Sequence, residues 1–206
     1  MAGHALTMKL YYSPGACSLA SHIVLREAKL PSSYVRVDLK SKKTETGADY
    51  RIINPKGYVP ALELEDGDLL TENVAILQYL ASLSPELLPQ AGSSKWHAIE
   101  TLAFVSTEIH KAFKPLFDPT STEEAKQKAK SLLAQRFSLL VPRLGQRQFI
   151  VGDGFTVVDA YLFVMLTWAR KQGVSVPIEL ERYADALSAR ASVKEALEME
   201  AAAKAS

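Results

Sequence analysis

The chain has 206 residues and a formal net charge of +1, with 24 Lys and Arg against 23 Asp and Glu. This balance lacks the basic excess that nucleic acid or an anionic membrane would attract. The single cysteine excludes an internal disulfide, and the N-terminus carries no secretory signal, so we expect a cytoplasmic protein. The most apolar stretch, Val157–Ala169, is too short to span a bilayer and contains Asp159, so it is predicted to be a buried core helix.

The chain opens with a segment that we expect to lie outside the fold. Residues 1–7 precede a second methionine, Met8, and are predicted to be an added extension, so His4 is given no role. A strand is then predicted over Lys9–Ser13 and a helix over Cys17–Lys29.

The next residues complete a first domain of mixed structure. Tyr34–Leu39 alternates like a strand, and its spacing from the first strand predicts a parallel β-α-β unit, whereas polar residues 40–47 predict a loop. Residues 61–64 and 68–70 flank Glu-Asp-Gly, which is typical of a hairpin, and Glu72–Leu83 predicts a second helix. The order is therefore β-α-β followed by β-β-α.

Cys17 lies where the strand ends and the helix begins. Unpaired backbone N–H groups and the positive end of the helix dipole favour a thiolate at such a position. A lone cysteine is more often a small buried hydrophobic residue, but the strand–turn–Cys–helix context favours the reactive thiol.

Two further segments could bind a peptide-like ligand. A cis peptide bond between Val59 and Pro60 would turn the backbone N–H and C=O of Val59 outward, where they could pair with an extended ligand, although a trans proline is commoner. Glu72 and Asn73 open the second helix, where backbone N–H groups could receive a carboxylate and Glu72 an ammonium group. Ordinary helix capping is the simpler reading of this pair.

A Pro-, Gly- and Ser-containing segment, residues 84–94, predicts a linker between residues 8–83 and an all-helical domain over residues 95–206. The helical candidates are Lys95–Phe117, Thr122–Leu144, Val157–Gln172, Pro177–Ala191 and Val193–Lys204. Thr156 and Asp159 predict a capping box, which is a folding element and not a catalytic one.

Taken together, these motifs resemble the glutathione transferases, specifically the bacterial beta class. The resemblance runs from Met8 to about Ala201. It rests on the segments Lys9–Ser18, Asn54–Pro60, Leu70–Asn73, Glu108–Lys111 and Phe155–Phe163. It implies an α/β plus all-α fold, with a thioredoxin-like N-terminal domain followed by a helical-bundle C-terminal domain, and a homodimer.

The resemblance also implies roles for residues of the first domain, with glutathione as co-substrate. Cys17 matches the cysteine that contacts the glutathione sulfur, and Val59, before the candidate cis-proline Pro60, matches the residue that pairs with its cysteinyl part. Glu72 and Asn73 match the γ-glutamyl binders. Lys42, which lies in a lysine-rich run otherwise read as a solvated loop, matches a lysine near the glycyl carboxylate.

In the second domain, the resemblance implies that Thr107, Glu108, Ile109 and His110 face the thiol site. His110 is a candidate catalytic residue that could stabilise a thiolate, and Lys111 is a weaker candidate for the same wall; without the resemblance, a structural histidine would be the default. The expected electrophile pocket lies in a cleft between the domains and is lined by Tyr12, Phe113, Phe117 and Trp168.

One position departs from the class pattern. Ala103 stands where the class commonly has asparagine, which removes a side-chain hydrogen bond and affects the expected affinity and rate. His22 and His97 make no convincing metal spacing with Cys17, so no metal is expected.

Three hypotheses follow. The first is a transferase that adds the glutathione thiolate to small hydrophobic electrophiles. The second is a reductase in which Cys17 forms a mixed disulfide with glutathione and reduces disulfides or peroxides. The third is a non-catalytic module of the same fold that binds ligands or proteins. No partnership with nucleic acid or membrane is expected.

Overall fold

The computed structural model describes residues 7–205, so His4 and the rest of the predicted extension before Thr7 lie outside the described residues. The described residues divide into two compact units: residues 84–190 form the second, and residues 7–83 together with 191–205 form the first. The boundary between residues 83 and 84 coincides with the predicted start of the linker. The C-terminal segment was expected to belong to the helical domain, and this expectation was wrong.

The first unit is built on a mixed sheet with the strand order β3-β2-β1-β4-β5. Its strands are β1 (Met8–Tyr12), β2 (Ser32–Asp38), β3 (Lys43–Thr44), β4 (Ala61–Glu63) and β5 (Leu69–Thr71). Strand β1 pairs parallel with β2 and antiparallel with β4, and β4 and β5 form an antiparallel hairpin. The predicted β-α-β unit and hairpin are confirmed, as is the thioredoxin-like order.

The helices of the first unit are α1 (Ser18–Glu27), α2 (Tyr50–Ile53), α3 (Asn73–Leu83) and α10 (Ala191–Ala205). Helix α10 packs on α1: Val193 and Ala196 of α10 are fully buried, and Glu195 forms an ion pair with Arg26 of α1 at 3.0 Å. These contacts explain why the last helix belongs to the first unit. Helix α2 and strand β3 were not predicted, because elements of two to four residues are too short to show a periodic pattern.

The second unit is helical, as predicted, but its first long helix is not continuous. It begins as α4 (Gly92–Phe104), widens into a π-helical segment (Val105–His110), tightens into a 3₁₀ turn (Lys111–Phe113) and ends as α5 (Lys114–Phe117). Pro115 has no N–H to donate and its ring would clash with the carbonyl of Lys111, which accounts for the interruption at residues 111–113 but not for the π-helical segment before it.

The remaining elements of the second unit are a 3₁₀ turn (Pro85–Leu87) before α4, and helices α6 (Glu123–Ser138), α7 (Val141–Leu144), α8 (Val157–Gln172) and α9 (Ile178–Ser188). Helix α8 has the predicted bounds, and the Thr156–Asp159 capping box is confirmed: the Thr156 N–H donates to Asp159 Oδ2 at 2.7 Å. Gly173 ends α8 in the left-handed conformation that favours glycine. No helix within residues 7–205 is both long and apolar enough to cross a membrane.

Candidate functional site

Cys17 occupies the position that caps the N-terminus of α1, as predicted. Its side chain is only 9% exposed, and the thiol donates a hydrogen bond to the carbonyl oxygen of Val59, with 3.3 Å between Sγ and O. Cys17 and Val59 lie 42 residues apart in the sequence and are therefore brought together by the sheet.

The resting thiol is not the thiolate that the sequence suggested. Burial raises the pKa of Cys17 to about 12, outweighing the backbone N–H groups of Cys17 and Ser18, which lower it; the nearby Glu72 carboxylate raises it further. The helix terminus acts in the predicted direction, but the cost of placing a charge in a buried site is larger. The expectation of a thiolate at rest is corrected accordingly.

The peptide bond between Val59 and Pro60 is cis, as considered from the sequence. Val59 is 7% exposed, and its carbonyl oxygen already accepts the hydrogen bond from the Cys17 thiol. The expectation that this carbonyl points freely outward is therefore wrong for the structure without ligand. A second thiol arriving at this edge would meet the Cys17 sulfur and the Val59 backbone together.

Asn73 is the first residue of α3, and its side chain forms hydrogen bonds within the first unit. The amide oxygen accepts from Ser21 Oγ at 2.8 Å, and the amide nitrogen donates to the carbonyl of Cys17 at 3.2 Å. Asn73 thus ties the start of α3 to the start of α1. Its side-chain amide supports the Cys17 backbone, which leaves its backbone N–H as the group that can meet a γ-glutamyl carboxylate.

Glu72 has an exposed side chain and a backbone φ of +69°, which is uncommon for a residue other than glycine. Its carboxylate pairs with Lys56, with 2.7 Å between Glu72 Oε1 and Lys56 Nζ, and the same ammonium donates to Thr71 Oγ1 at 3.1 Å. Glu72 was predicted from the sequence to be a ligand-binding residue, whereas its partner Lys56 was not.

Lys42 lies against the segment that precedes the cis bond. Its ammonium donates to the carbonyl oxygen of Gly57 at 2.9 Å and lies 5.9 Å from the centre of the Tyr58 ring. The structure therefore brings Lys42 next to the segment that leads into Val59, where the resemblance requires a cation.

The turn before Cys17 is held by a buried network that the sequence analysis missed. Glu200 of α10 accepts from the Gly15 N–H at 2.7 Å through Oε2, and its Oε1 lies 3.3 Å from His22 Nδ1. Arg26 Nε donates to His22 Nε2 at 3.1 Å, so the His22 proton resides on Nδ1 and is donated to Glu200. His22, which received no role from the sequence, helps to fix the carboxylate that holds this turn.

In the second unit, His110 ends the π-helical segment. Its Nδ1 lies 2.6 Å from the Tyr161 hydroxyl, and its ring packs edge-on against Trp168 at 5.1 Å. Burial, with a smaller contribution from Lys111, lowers the pKa of His110, so the imidazole is neutral at pH 7. A neutral imidazole can donate one hydrogen bond, accept another or take up a proton, but it does not supply a fixed positive charge.

The neighbours of His110 divide into exposed and buried positions. Thr107 is exposed and donates to the Ala103 carbonyl at 3.0 Å, and Glu108 pairs with Arg136 at 2.9 Å. Ile109 is fully buried, so its side chain has no surface for glutathione and acts in packing. Lys111 is exposed, in line with its weaker candidacy.

The predicted electrophile residues fall into two groups. Phe113, Phe117 and Trp168 form one aromatic cluster in the second unit, with Phe117 and Trp168 ring centres 4.8 Å apart and Phe113 and Trp168 5.4 Å apart. Phe117 is about half exposed and gives this cluster an accessible edge. Tyr12 is 3% exposed and packs against His22 in the first unit, so its predicted place in a pocket wall is not supported.

No group of His, Cys, Asp and Glu side chains suited to a metal ion occurs within residues 7–205.

Family models match both parts of the chain. The model of the glutathione S-transferase N-terminal domain matches residues 15–83, and that of the glutathione S-transferase C-terminal domain matches residues 104–191. Among curated proteins, glutathione S-transferase GstA of Escherichia coli O157:H7 is 49% identical over 79% of this chain and 82% of its own. Glutathione S-transferase GST-4.5 of Xanthomonas campestris is 36% identical over 94% of this chain and 98% of its own.

Solved structures give the same result. A glutathione transferase from Methylococcus capsulatus has a TM-score of 0.91 and 46% identity, covering 95% of this chain and 99% of that one. A sphingomonad glutathione S-transferase complexed with glutathione has a TM-score of 0.87 and 41% identity, covering 94% and 98%. A bacterial beta-class enzyme from Sphingomonas chungbukensis has a TM-score of 0.86 and 42% identity, covering 93% and 98%.

Proposed function

Because the chain belongs to the glutathione S-transferase family and is an enzyme of that kind, we propose that its first unit binds glutathione extended along Val59. The observation that carries this proposal is the meeting of Cys17, the cis Val59–Pro60 bond and the start of α3 within one unit. The register of the hairpin, in which Ala61 faces Thr71, supports it because it sets the backbone before β4 beside the backbone after β5.

Each part of the tripeptide has a candidate partner. The cysteinyl backbone pairs with Val59 as an added strand would, and the glycyl carboxylate meets the Lys42 ammonium. The γ-glutamyl end meets Glu72 and the backbone N–H groups at the start of α3, where Asn73 lies. The bound sulfur then lies beside Cys17.

The proposed chemistry is attack by the bound glutathione thiolate on a small hydrophobic electrophile. Backbone N–H groups at the start of α1 stabilise the thiolate, because their dipoles are fixed before the reaction begins. The resemblance implies that His110 belongs to the thiol site; its neutral imidazole, which is oriented by Tyr161, could accept the thiol proton. The resemblance likewise implies that the cluster of Phe113, Phe117 and Trp168 offers apolar surface to the electrophile. Turnover of aryl halides and epoxides, with glutathione present, tests this assignment.

A second activity is also proposed, because the resting thiol of Cys17 already contacts the edge where the glutathione sulfur would lie. On a mixed disulfide between a substrate thiol and glutathione, Cys17 would attack the glutathione sulfur and form a Cys17–glutathione disulfide, as the substrate leaves as a thiolate and takes up the Cys17 proton. A free glutathione would then attack the glutathione sulfur of that disulfide, which restores the Cys17 thiol and releases oxidised glutathione. Glutathione-dependent turnover of disulfides tests this activity separately from conjugation.

We further propose a cytoplasmic homodimer, on the resemblance and on a net charge of +1 that does not oppose association. Light scattering at micromolar concentration is expected to give twice the 22.6 kDa mass of one chain. A mass equal to one chain would contradict the dimer.

Glu72→Ala is expected to weaken glutathione binding about tenfold, because the ammonium group of the ligand loses a charge-assisted hydrogen bond. Isothermal titration calorimetry measures the change. Glu65→Ala, which removes another exposed carboxylate of the same unit in the hairpin turn, is the matched control and is expected to bind as the wild type does. If the wild type gives no heat with millimolar glutathione, the proposed site is wrong.

A further inference from the structure

We propose that Lys56 is a specificity-determining residue that binds the α-carboxylate of the γ-glutamyl group. This inference rests on the proposed binding of glutathione in the first unit and names a residue of that site which the family resemblance did not supply. It starts from the observation that Glu72, the candidate partner of the ligand ammonium, is paired with a lysine in the structure.

The position of Lys56 is fixed by its backbone as well as by its side chain. The Lys56 N–H donates to Asn54 Oδ1 at 3.2 Å, within the segment that leads to the cis bond. The side chain then reaches β5 and the start of α3, where Nζ lies 3.1 Å from Thr71 Oγ1 and 2.7 Å from Glu72 Oε1. One ammonium therefore lies directly beside the carboxylate that is expected to meet the ligand.

The chemistry of the ligand requires both charges. The end of a γ-glutamyl group carries one ammonium and one carboxylate on the same carbon. Glu72 attracts the ammonium but repels the carboxylate, which we therefore expect to need a cation in addition to the backbone N–H groups at the start of α3. Lys56 and Glu72 form the complementary pair. On binding, the ligand ammonium takes the place of Lys56 at Glu72, and the Lys56 ammonium turns to the ligand carboxylate, so that two new ion pairs replace the existing one.

The pair is also free enough to exchange partners. The side chains of Lys56 and Glu72 are 49% and 70% exposed, and an ion pair so open to water is held weakly. By contrast, the amide of Asn73 is buried and engaged with Ser21 and the Cys17 carbonyl, so it cannot easily turn to the ligand. Lys56 is therefore the exposed cation beside Glu72 that can turn to the ligand carboxylate.

If Lys56 had a different role, its removal would change glutathione affinity in the opposite direction. If Lys56 only masked Glu72, it would compete with the ligand ammonium, and its removal would strengthen glutathione binding. If it binds the carboxylate, its removal weakens binding. The direction of the change in glutathione affinity therefore distinguishes the two roles of Lys56.

The experiment compares Lys56→Met with the wild type, using Lys29→Met, an exposed lysine at the end of α1, as the control for general charge effects. The ligands are glutathione and 4-aminobutyryl-cysteinylglycine, which lacks only the α-carboxylate. The wild type is expected to bind the second ligand about fivefold more weakly than glutathione. Lys56→Met should bind glutathione several-fold more weakly than the wild type does and lose most of the discrimination between the two ligands, because only the backbone N–H groups at the start of α3 then remain for the carboxylate. Its KM for glutathione should rise while kcat at saturation stays the same.

Three results would overturn the inference: tighter glutathione binding by Lys56→Met, discrimination retained by that variant, or equal losses in Lys29→Met. If the proposed glutathione site in the first unit is itself wrong, the result differs, because the wild type would then not bind glutathione. Binding by the wild type with no effect of Lys56→Met rejects the role of Lys56 alone.

Discussion

Cys17→Ala is expected to abolish glutathione-dependent disulfide reduction and to leave conjugation measurable. Cys17 is the only cysteine of the chain, so no other thiol can form the mixed disulfide. In conjugation the nucleophile is the sulfur of glutathione itself, and Cys17 contributes a contact to it. Loss of one such contact lowers the rate by about tenfold. Parallel assays with a disulfide and an aryl halide on the same preparation measure both outcomes.

A related prediction concerns the reactivity of the Cys17 thiol in the wild type without ligand. With a pKa of about 12, the thiolate fraction at pH 7 is about a thousandfold below that of an unperturbed cysteine. Alkylation by iodoacetamide is therefore expected to be slow and to rise about tenfold per pH unit from pH 7 to 10 with no plateau. The protein unfolded in urea supplies the matched control, in which the rate should level off above the ordinary cysteine pKa.

Two outcomes would contradict this account. Complete loss of conjugation in a folded Cys17→Ala variant that still binds glutathione would make Cys17 essential for transfer. Alkylation of the folded protein at pH 7 as fast as that of the protein unfolded in urea would show that burial does not protect the thiol.

The short-range signals in the sequence were sufficient to predict the scaffold of the candidate site. The position of Cys17 at the start of α1, the hairpin after Pro60 and the bounds of α8 follow from turn residues and periodicity within a few residues. Pro115 is also a local signal, and it could have predicted the interruption of the long helix.

Features that depend on distant residues could not be predicted in this way. Burial of the Cys17 thiol results from the packing of the whole first unit, and it reverses the effect of the helix terminus. The contact between His22 and Glu200 joins residues 178 positions apart. No local pattern in the Ala-rich tail indicates that it returns to α1, so its assignment to the helical domain followed sequence order rather than contacts.

Of the substitutions considered, Asp159→Ala is expected to cause the largest loss of stability. The buried Asp159 carboxylate accepts hydrogen bonds from several parts of the second unit. Its Oδ1 accepts from the Ile150 N–H at 2.9 Å and from the Tyr183 hydroxyl at 2.6 Å, while Oδ2 accepts from the Thr156 N–H and hydroxyl, each at 2.7 Å. Burial, together with the Asp159 charge, raises the pKa of Tyr183, so its hydroxyl keeps the proton that it donates.

Removal of the carboxylate leaves these buried donors without an acceptor, which costs about 3–5 kcal/mol. For a chain of this length, the melting temperature should fall by about 10 °C. Asp159→Asn preserves the shape but turns an NH₂ group toward N–H and O–H donors, so it should also destabilise, by roughly half as much. Differential scanning calorimetry measures all three proteins, and Asp153→Asn, at an exposed carboxylate nearby, should melt as the wild type does.

The same variants test whether Asp159 acts in folding alone. Because its oxygens are fully used by backbone and side-chain donors of the second unit, Asp159→Asn protein that remains folded should retain glutathione affinity and turnover. A variant with unchanged melting and lost turnover would instead assign Asp159 to catalysis. If Thr156→Ala costs only the roughly 1 kcal/mol of a lost helix cap, the difference from Asp159→Ala reports the hydrogen bonds that Asp159 accepts from Ile150, Tyr183 and the Thr156 backbone N–H. The bonds from Ile150 and Tyr183 hold the segment before α8 and helix α9 onto the start of α8, so their loss should destabilise more of the second unit than the helix cap alone.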